Sequence, residues 1–371
     1  MIERIIYNRP LRGETDAIPS KSVSHRALIC AFLAEGNSRV EHVLDCEDIT
    51  ATKRCLTALK AGRVMDAGES ATTMRLLIPL SLLYGGGRFL MGGSLVGRPI
   101  EPYSESLDAK LYRNGNEIIV TGDLMPGEYY IRGDVSSQFV SGLLFALPLL
   151  EGDSFLHVKG KLQSRPYVEL TRDIMAQFQV FTEVCDDGFF IKGNQSYKTT
   201  DLYVEGDWTY ASNFLVANRL GGNVKLNGLN YNSLQGDRQV LHALDMDEID
   251  ISDMPDVFPA LAVNACAKAG VTRITGGRRL RFKESDRLSV MANELSKLGA
   301  DLEEEDDSLL VRGTGHLKGG KADSHNDHRV AMALSIAAAI CDEPVRLTGS
   351  ESVKKSAPRF FETLKALGGT D

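Results

Sequence analysis

One pattern of apolar and polar positions recurs six times along the chain. An apolar run with helical spacing ends near a glycine or an acidic residue, a short β-type run follows, and a small polar turn then opens a second, charged helix start. The β-type runs begin at Gly36, Gly86, Gly152, Gly222, Gly270 and Glu343, in steps of 50, 66, 70, 48 and 73 residues. Repetition at such a period predicts a modular fold. The two short steps predict that a hairpin of the longer copies is missing after Leu59 and again before Asp245.

Within this frame residues 2–7 alternate as a strand, and a first helix runs from Pro19 to a stop at Gly36. Further helices are predicted over about Asp48–Leu59, Phe139–Leu150, Val168–Phe178, Tyr210–Leu220 and Val330–Ile340, with a last one starting near Ser352. Arg75–Leu83 is apolar nearly all round and predicts a buried helix. Leu288, Met291, Leu295 and Leu298 make the apolar stripe of another. A turn at Glu205-Gly206-Asp207 divides the chain into a domain of residues 18–206 and a second of 1–17 with 207–371.

The polar turns carry the chemistry. Ile18-Pro19-Ser20-Lys21-Ser22-Val23-Ser24-His25-Arg26 opens its helix with capping hydroxyls and two cations. Cations oppose the dipole at a helix start, so Lys21 and Arg26 point to an anion held there. Arg98 lies in a Gly-rich turn before Pro99, and Ser136-Ser137-Gln138 opens an apolar run as either a plain cap or a set of oxyanion donors. Lys283, Glu284 and Arg287 have the spacing to share one helix face, two cations beside a carboxylate. Asp256 either caps a helix or projects toward a ligand. The acidic stretch Asp245–Asp256 lacks the glycine and closing glutamate of a calcium loop. His325 and His328 lack a third firm ligand, and no metal is expected.

Composition narrows the function. The chain of 371 residues is long enough for two cores, and its charge of −8 argues against a nucleic-acid surface. Cations are instead grouped at helix starts, which suits a small, highly charged ligand. No charge-free apolar run is long enough to span a bilayer, and the amino terminus lacks the pattern of a secretion signal, so the chain is expected in the cytoplasm, away from membranes. Six scattered cysteines without a C-x-x-C read as reduced thiols.

Lys21-Ser22-Val23-Ser24-His25-Arg26, Arg98-Pro99, Ser136-Ser137-Gln138, Ser164-Arg165-Pro166-Tyr167, Pro255-Asp256, Lys283-Glu284-Ser285-Asp286-Arg287 and Asn326-Asp327-His328-Arg329 together resemble the 5-enolpyruvylshikimate-3-phosphate (EPSP) synthase family. The resemblance covers essentially the whole chain. It implies an α/β (α+β) fold, a two-domain inside-out α/β barrel built from six βαβαββ-type repeats, here with some shortened. It also implies a cleft between the domains where enolpyruvyl passes from phosphoenolpyruvate to the 5-hydroxyl of shikimate 3-phosphate. No cofactor or metal is implied, and the expected state is a monomer.

By the same resemblance Asp256, Glu284 and Lys21 are catalytic. Lys21, Ser22, Arg26, Ser136, Ser137, Gln138, Ser164, Tyr167, Asp256 and Lys283 would bind shikimate 3-phosphate; Lys21, Ala71, Thr72, Arg98, Gln138, Arg287, Arg329 and Lys355 would bind phosphoenolpyruvate. The chain departs from the family pattern at Ala71, in place of a glycine, and at Glu69, in place of an asparagine; the added methyl implies reduced sensitivity to glyphosate. Ser20 before Lys21 and Arg279 also differ. Alternatives are enolpyruvyl transfer to a UDP-sugar, which normally goes with a Lys-Asn pair where this chain has Lys21-Ser22, and a non-catalytic anion-binding paralogue, against which the carboxylates Asp256 and Glu284 speak.

Overall fold

In a computed structural model, which describes residues 2–370, the chain forms two compact units. One is Pro19–Glu205; the other combines the residues up to Ile18 with those from Gly206 onward. Met1 and Asp371, which the division expected from sequence includes, lie outside the described residues. Each unit has its own apolar core.

Inside Pro19–Glu205 two four-stranded sheets share one connectivity. In the first, strand Met65–Asp66 leads through helix Ala71–Leu82 to the parallel strand Gly86–Leu90. The antiparallel hairpin Lys110–Asn114 and Glu117–Thr121 then completes the sheet. The second repeats this with Glu128–Arg132, helix Ser137–Ala146, the parallel strand Ser154–Lys159, helix Arg165–Gln177 and the hairpin Glu183–Cys185 with Gly188–Ile191. A parallel pair, Val40–Glu41 with Leu202–Tyr203, stands where a third sheet would be. Helix Glu47–Lys60 runs on to Met65–Asp66 with no hairpin between, as the step of 50 residues predicts.

The other unit varies the same theme. Glu248–Asp250, helix Phe258–Ala267, Gly270–Thr275, helix Arg287–Lys297 and the hairpin Asp301–Glu304 with Ser308–Gly313 make a complete copy. A parallel pair, Arg12–Asp16 with Asn223–Asn227, again has no hairpin. The last copy, Gly320–Asp323 parallel to Val345–Thr348, receives its one antiparallel strand, Arg4–Ile6, from the far end of the chain.

Several boundaries differ from expectation, each for a local reason. The first helix ends at Leu33, not at Gly36, because Glu35 N already bonds Tyr197 O and Ala34 is extended. The Phe139–Leu150 run divides at Leu147 into a short 3-10 turn, where Pro148 removes a donor. The helix expected from Val168 begins at Arg165, since Pro166 suits a first turn. Residues Ser350–Lys355 form a 3-10 segment, and the last helix starts only at Phe360, past Pro358. Gly236–Gln239 is also a 3-10 turn, running into the short helix Val240–Ala243.

The all-round apolar helix is as buried as its composition demands: of Ala71–Leu82 only Thr72 is not buried. It packs on helix Ser137–Ala146 at Gly142, where an added Cβ would collide with the Tyr103 hydroxyl and approach Arg75 O within 2.7 Å. Gly142→Ala is therefore expected to lower unfolding stability by about 1–3 kcal/mol. Gly97→Ala, where a Cβ meets open space, should leave thermal unfolding unchanged.

Candidate active site

In the unit Pro19–Glu205 the expected residues gather at helix starts. Ser20 caps helix Lys21–Leu33, its hydroxyl accepting from Val23 N. Lys21, at the first helical position, pairs with Asp48 at 2.7 Å, a carboxylate that offsets the charge the dipole disfavours. Arg26 is buried and ties two helices together. Its Nε donates to Thr171 Oγ1 (2.8 Å) and its terminal nitrogens to Ser22 O (2.9 Å) and Tyr167 O (3.1 Å). Burial pushes the Arg26 guanidinium down to about 10.

A second group forms around Gln138. Its Nε2 donates to Thr72 Oγ1 (2.8 Å), while its Oε1 accepts from Arg75 (3.0 Å), whose other arm reaches Pro99 O (3.1 Å). Thr72, Gln138 and the Arg98-Pro99 turn are thus joined through Arg75, next along the helix that Ala71 opens. Arg98 is buried at the end of the 3-10 turn Gly93–Gly97, and its carbonyl accepts from Arg113. Ser136 caps the Ser137–Ala146 helix, accepting from Gln138 N (3.3 Å). Ser164 sits ahead of Arg165 with φ 53°, a left-handed conformation a serine adopts at a cost.

In the other unit the charges are denser. Asp256 takes Lys283 (3.3 Å) and Arg287 (2.9 Å) on one oxygen and Arg329 (3.1 Å) on the other. It lies in the 3-10 turn Pro255–Val257 and makes no side-chain cap; its oxygens are turned to the cations. The expectation that Lys283, Glu284 and Arg287 share a helix face is corrected: the helix begins at Arg287 with Asp286 as its cap, and Lys283 and Glu284 precede it. Glu284 still meets Arg287, at 2.7 Å, because the turn folds back on the helix start. Arg287, only 1% exposed in its side chain, also binds the fully buried Asp327 at 2.9 Å. Lys355 Nζ donates to Asn326 O at 2.8 Å.

These contacts set the protonation states. Burial works to raise Asp256, but Arg329, Lys283 and Arg287 overcome it and hold the carboxyl well below its usual range. Lys283 is pushed down to about 8 by burial, against the pull of Asp256. Asp237, fully buried, is pushed up to about 7 by burial and by the charge of Asp256. Its Oδ2 accepts from the Thr209 hydroxyl and its Oδ1 has no hydrogen-bond partner.

Asp48, Arg75, Asp237 and Asp327 were not singled out as site residues from sequence. Arg75 and Asp327 had a signal, since each sits in a charged helix start. Asp237 had the same signal, in Gly236-Asp237-Arg238, and Asp48 had none that separates it from ordinary surface acids. Among the described residues no three or more His, Cys, Asp or Glu side chains could hold a metal ion, and His325 instead contacts Glu294. The described cysteines are all free thiols. No described helix is long and apolar enough to cross a membrane.

Cations answered by carboxylates or amides thus gather at polar turns and helix starts within each unit, and comparison with known proteins specifies the class. A sequence model described as EPSP synthase (3-phosphoshikimate 1-carboxyvinyltransferase) matches residues 7–64, 60–247 and 238–364. A 3-phosphoshikimate 1-carboxyvinyltransferase of Clostridium botulinum (strain Alaska E43 / Type E3) is 39% identical over 421 aligned positions, covering 98% of this chain and 97% of its own. One from Clostridium kluyveri is 40% identical, with 97% and 96% covered. An EPSP synthase structure from Acinetobacter baumannii superposes with a TM-score of 0.81 over 99% of this chain and 98% of its own, at 24% identity, and shows the same mixed α/β fold. The chain is thus an enzyme of the carboxyvinyltransferase class. It belongs to the EPSP synthase family. The alignment of 421 positions exceeds the 371 residues available, so the Clostridium botulinum relative carries segments that this chain lacks.

A lysine held near 8 and 10.5 when unfolded binds fewer protons in the folded state across that interval. Its half-buried charge therefore costs stability at neutral pH, and the cost is relieved as pH rises from 8 toward 10.5. Lys283→Met is expected to be more stable than the wild type by on the order of 1–3 kcal/mol at pH 7, with the difference narrowing toward pH 10.5 in denaturant titrations.

Proposed function

We propose that the chain transfers the enolpyruvyl group of phosphoenolpyruvate to the 5-hydroxyl of shikimate 3-phosphate, releasing phosphate. The observation that carries this reading is Asp256, kept ionised by Arg329, Lys283 and Arg287 with Glu284 beside them. A plain anion-binding site would be better without these carboxylates, which compete with the ligand for the cations. A transferase needs them: one takes the proton of the attacking hydroxyl, and one answers the positive character that develops at C2 once C3 is protonated.

In this reading Lys21, Ser22, Arg26, Ser136, Ser137, Gln138, Ser164, Tyr167 and Lys283 hold shikimate 3-phosphate, with Asp256 on its 5-hydroxyl. Lys21, Ala71, Thr72, Arg98, Gln138, Arg287, Arg329 and Lys355 hold the carboxylate and phosphate of phosphoenolpyruvate. The hydroxyl oxygen bonds to C2 as Asp256 accepts its proton, and Lys21 or Glu284 delivers a proton to C3. Loss of that added proton and cleavage of the C2–O bond to phosphate then restore the double bond. With its cations intact Asp256 is a weak base; substrate anions that draw Lys283 and Arg329 toward themselves raise its basicity when it is needed. The same reading takes the six strand pairs as copies of one βαβαββ unit, the two hairpin-free ones being shortened.

The test is phosphate release from the purified chain. Release should require both phosphoenolpyruvate and shikimate 3-phosphate, and Asp256→Ala should lower it by about 10²–10⁴-fold. Release of phosphate without shikimate 3-phosphate, or full activity of the variant, would sink the assignment.

The reading extends to inhibition. Ala71 is buried at the first position of its helix, beside Thr72, which holds Gln138. Its methyl narrows the space at this helix start, so glyphosate, which needs more room than phosphoenolpyruvate, should inhibit Ala71→Gly more strongly than the wild type. Equal inhibition constants for the two proteins would dispose of the idea.

A further inference from the structure

The turn ahead of the Arg329 helix takes a conformation uncommon for residues other than glycine. His325 and Asn326 are adjacent, neither is glycine, and both are left-handed, with φ of 51° and 57°. Side chains hold them there. Asp323 Oδ1 accepts from His325 N at 2.6 Å, and His325 Nε2 meets Glu294 Oε1 at 2.8 Å. Glu294 is a fully buried carboxylate on helix Arg287–Lys297; its other oxygen accepts from Asp323 N at 2.9 Å, and Lys297 neutralises it at 2.6 Å.

The turn delivers groups that the proposed chemistry uses. Asn326 O accepts from Lys355 Nζ, and Asp327 binds Arg287 and caps the next helix by accepting from Arg329 N at 2.9 Å. One helix therefore grips the turn twice, through Arg287 at its first position and through Glu294 two turns on. We propose that Glu294 and His325 are positioning residues for phosphoenolpyruvate: they latch the 325–326 turn in its left-handed form and so set where Lys355 stands. Released, the turn would relax toward ordinary backbone and carry Asn326 O, which accepts from Lys355, with it.

This inference rests on the role proposed for Lys355, and its test separates the two. Steady-state kinetics of the full chain would compare the wild type, His325→Asn, Lys355→Met and the double variant. Asparagine tolerates the left-handed backbone but is too short for Glu294. His325→Asn should raise KM for phosphoenolpyruvate by about tenfold with kcat changed less, and should add nothing in the Lys355→Met background. Equal effects of His325→Asn in both backgrounds, or a KM within twofold of wild type, would overturn the latch while leaving Lys355 in place. An unchanged KM in Lys355→Met would overturn the role of Lys355 and the latch with it. If His325→Asn does not fold, Glu294→Gln, which keeps a hydrogen-bonding group opposite His325, should shift KM in the same direction by a smaller factor; no shift would count against the proposal.

Discussion

A guanidinium buried to 1% exposure has to be answered by carboxylates, and the electrostatics of one whole unit follow from how Arg287 is answered. Asp256, Glu284 and Asp327 come to it from the turn before one helix, the turn before its own helix and the cap of another. Three loop segments distant in the chain are thereby fixed against each other. Lys283 and Arg329, the other partners of Asp256, are held within that frame. Such a cluster is close to electrically balanced in the ligand-free chain, and an incoming anion changes the balance at every member together. That makes it suited to chemistry in which a carboxylate must be ionised yet become more basic once substrate is bound.

The repeated connectivity explains why the charges collect at turns. Four copies lead from a strand through an apolar helix to a parallel neighbouring strand, so the helix flanks are buried while its first turn remains a polar opening. Ser20, Ser70, Ser136, Asp207, Asp286 and Asp327 all cap helices at such openings. Leaving out the hairpin in two copies removes sheet edge and packing but touches none of these openings.

Much of this was legible before any coordinates. Five of the six β-type runs are strands, the first becoming one only at Val40; the two missing hairpins are missing where the short steps require, and Leu288, Met291, Leu295 and Leu298 are buried together. Less legible were the places where side chains override local pattern. The spacing of Lys283, Glu284 and Arg287 suits a helix, yet the helix waits for Asp286 to cap it and the earlier residues form a turn aimed at Asp256. Gly36 has the look of a helix stop, but the pairing of Glu35 with Lys198 and the bond from Glu35 to Tyr197 end the helix sooner.

By itself the sequence determined the repeat, the apolar helices and the cations at helix starts, because periodicity, capping and burial are written in residues close to one another. Only the tertiary structure decided which partner answers which charged group. Lys21 with Asp48, Arg75 with Gln138, Arg329 with Asp256 and Glu294 with His325 are separated by 27 to 73 residues. Their meeting depends on how sheets and helices stack, and the energy of a buried charge depends on the partners that stacking supplies.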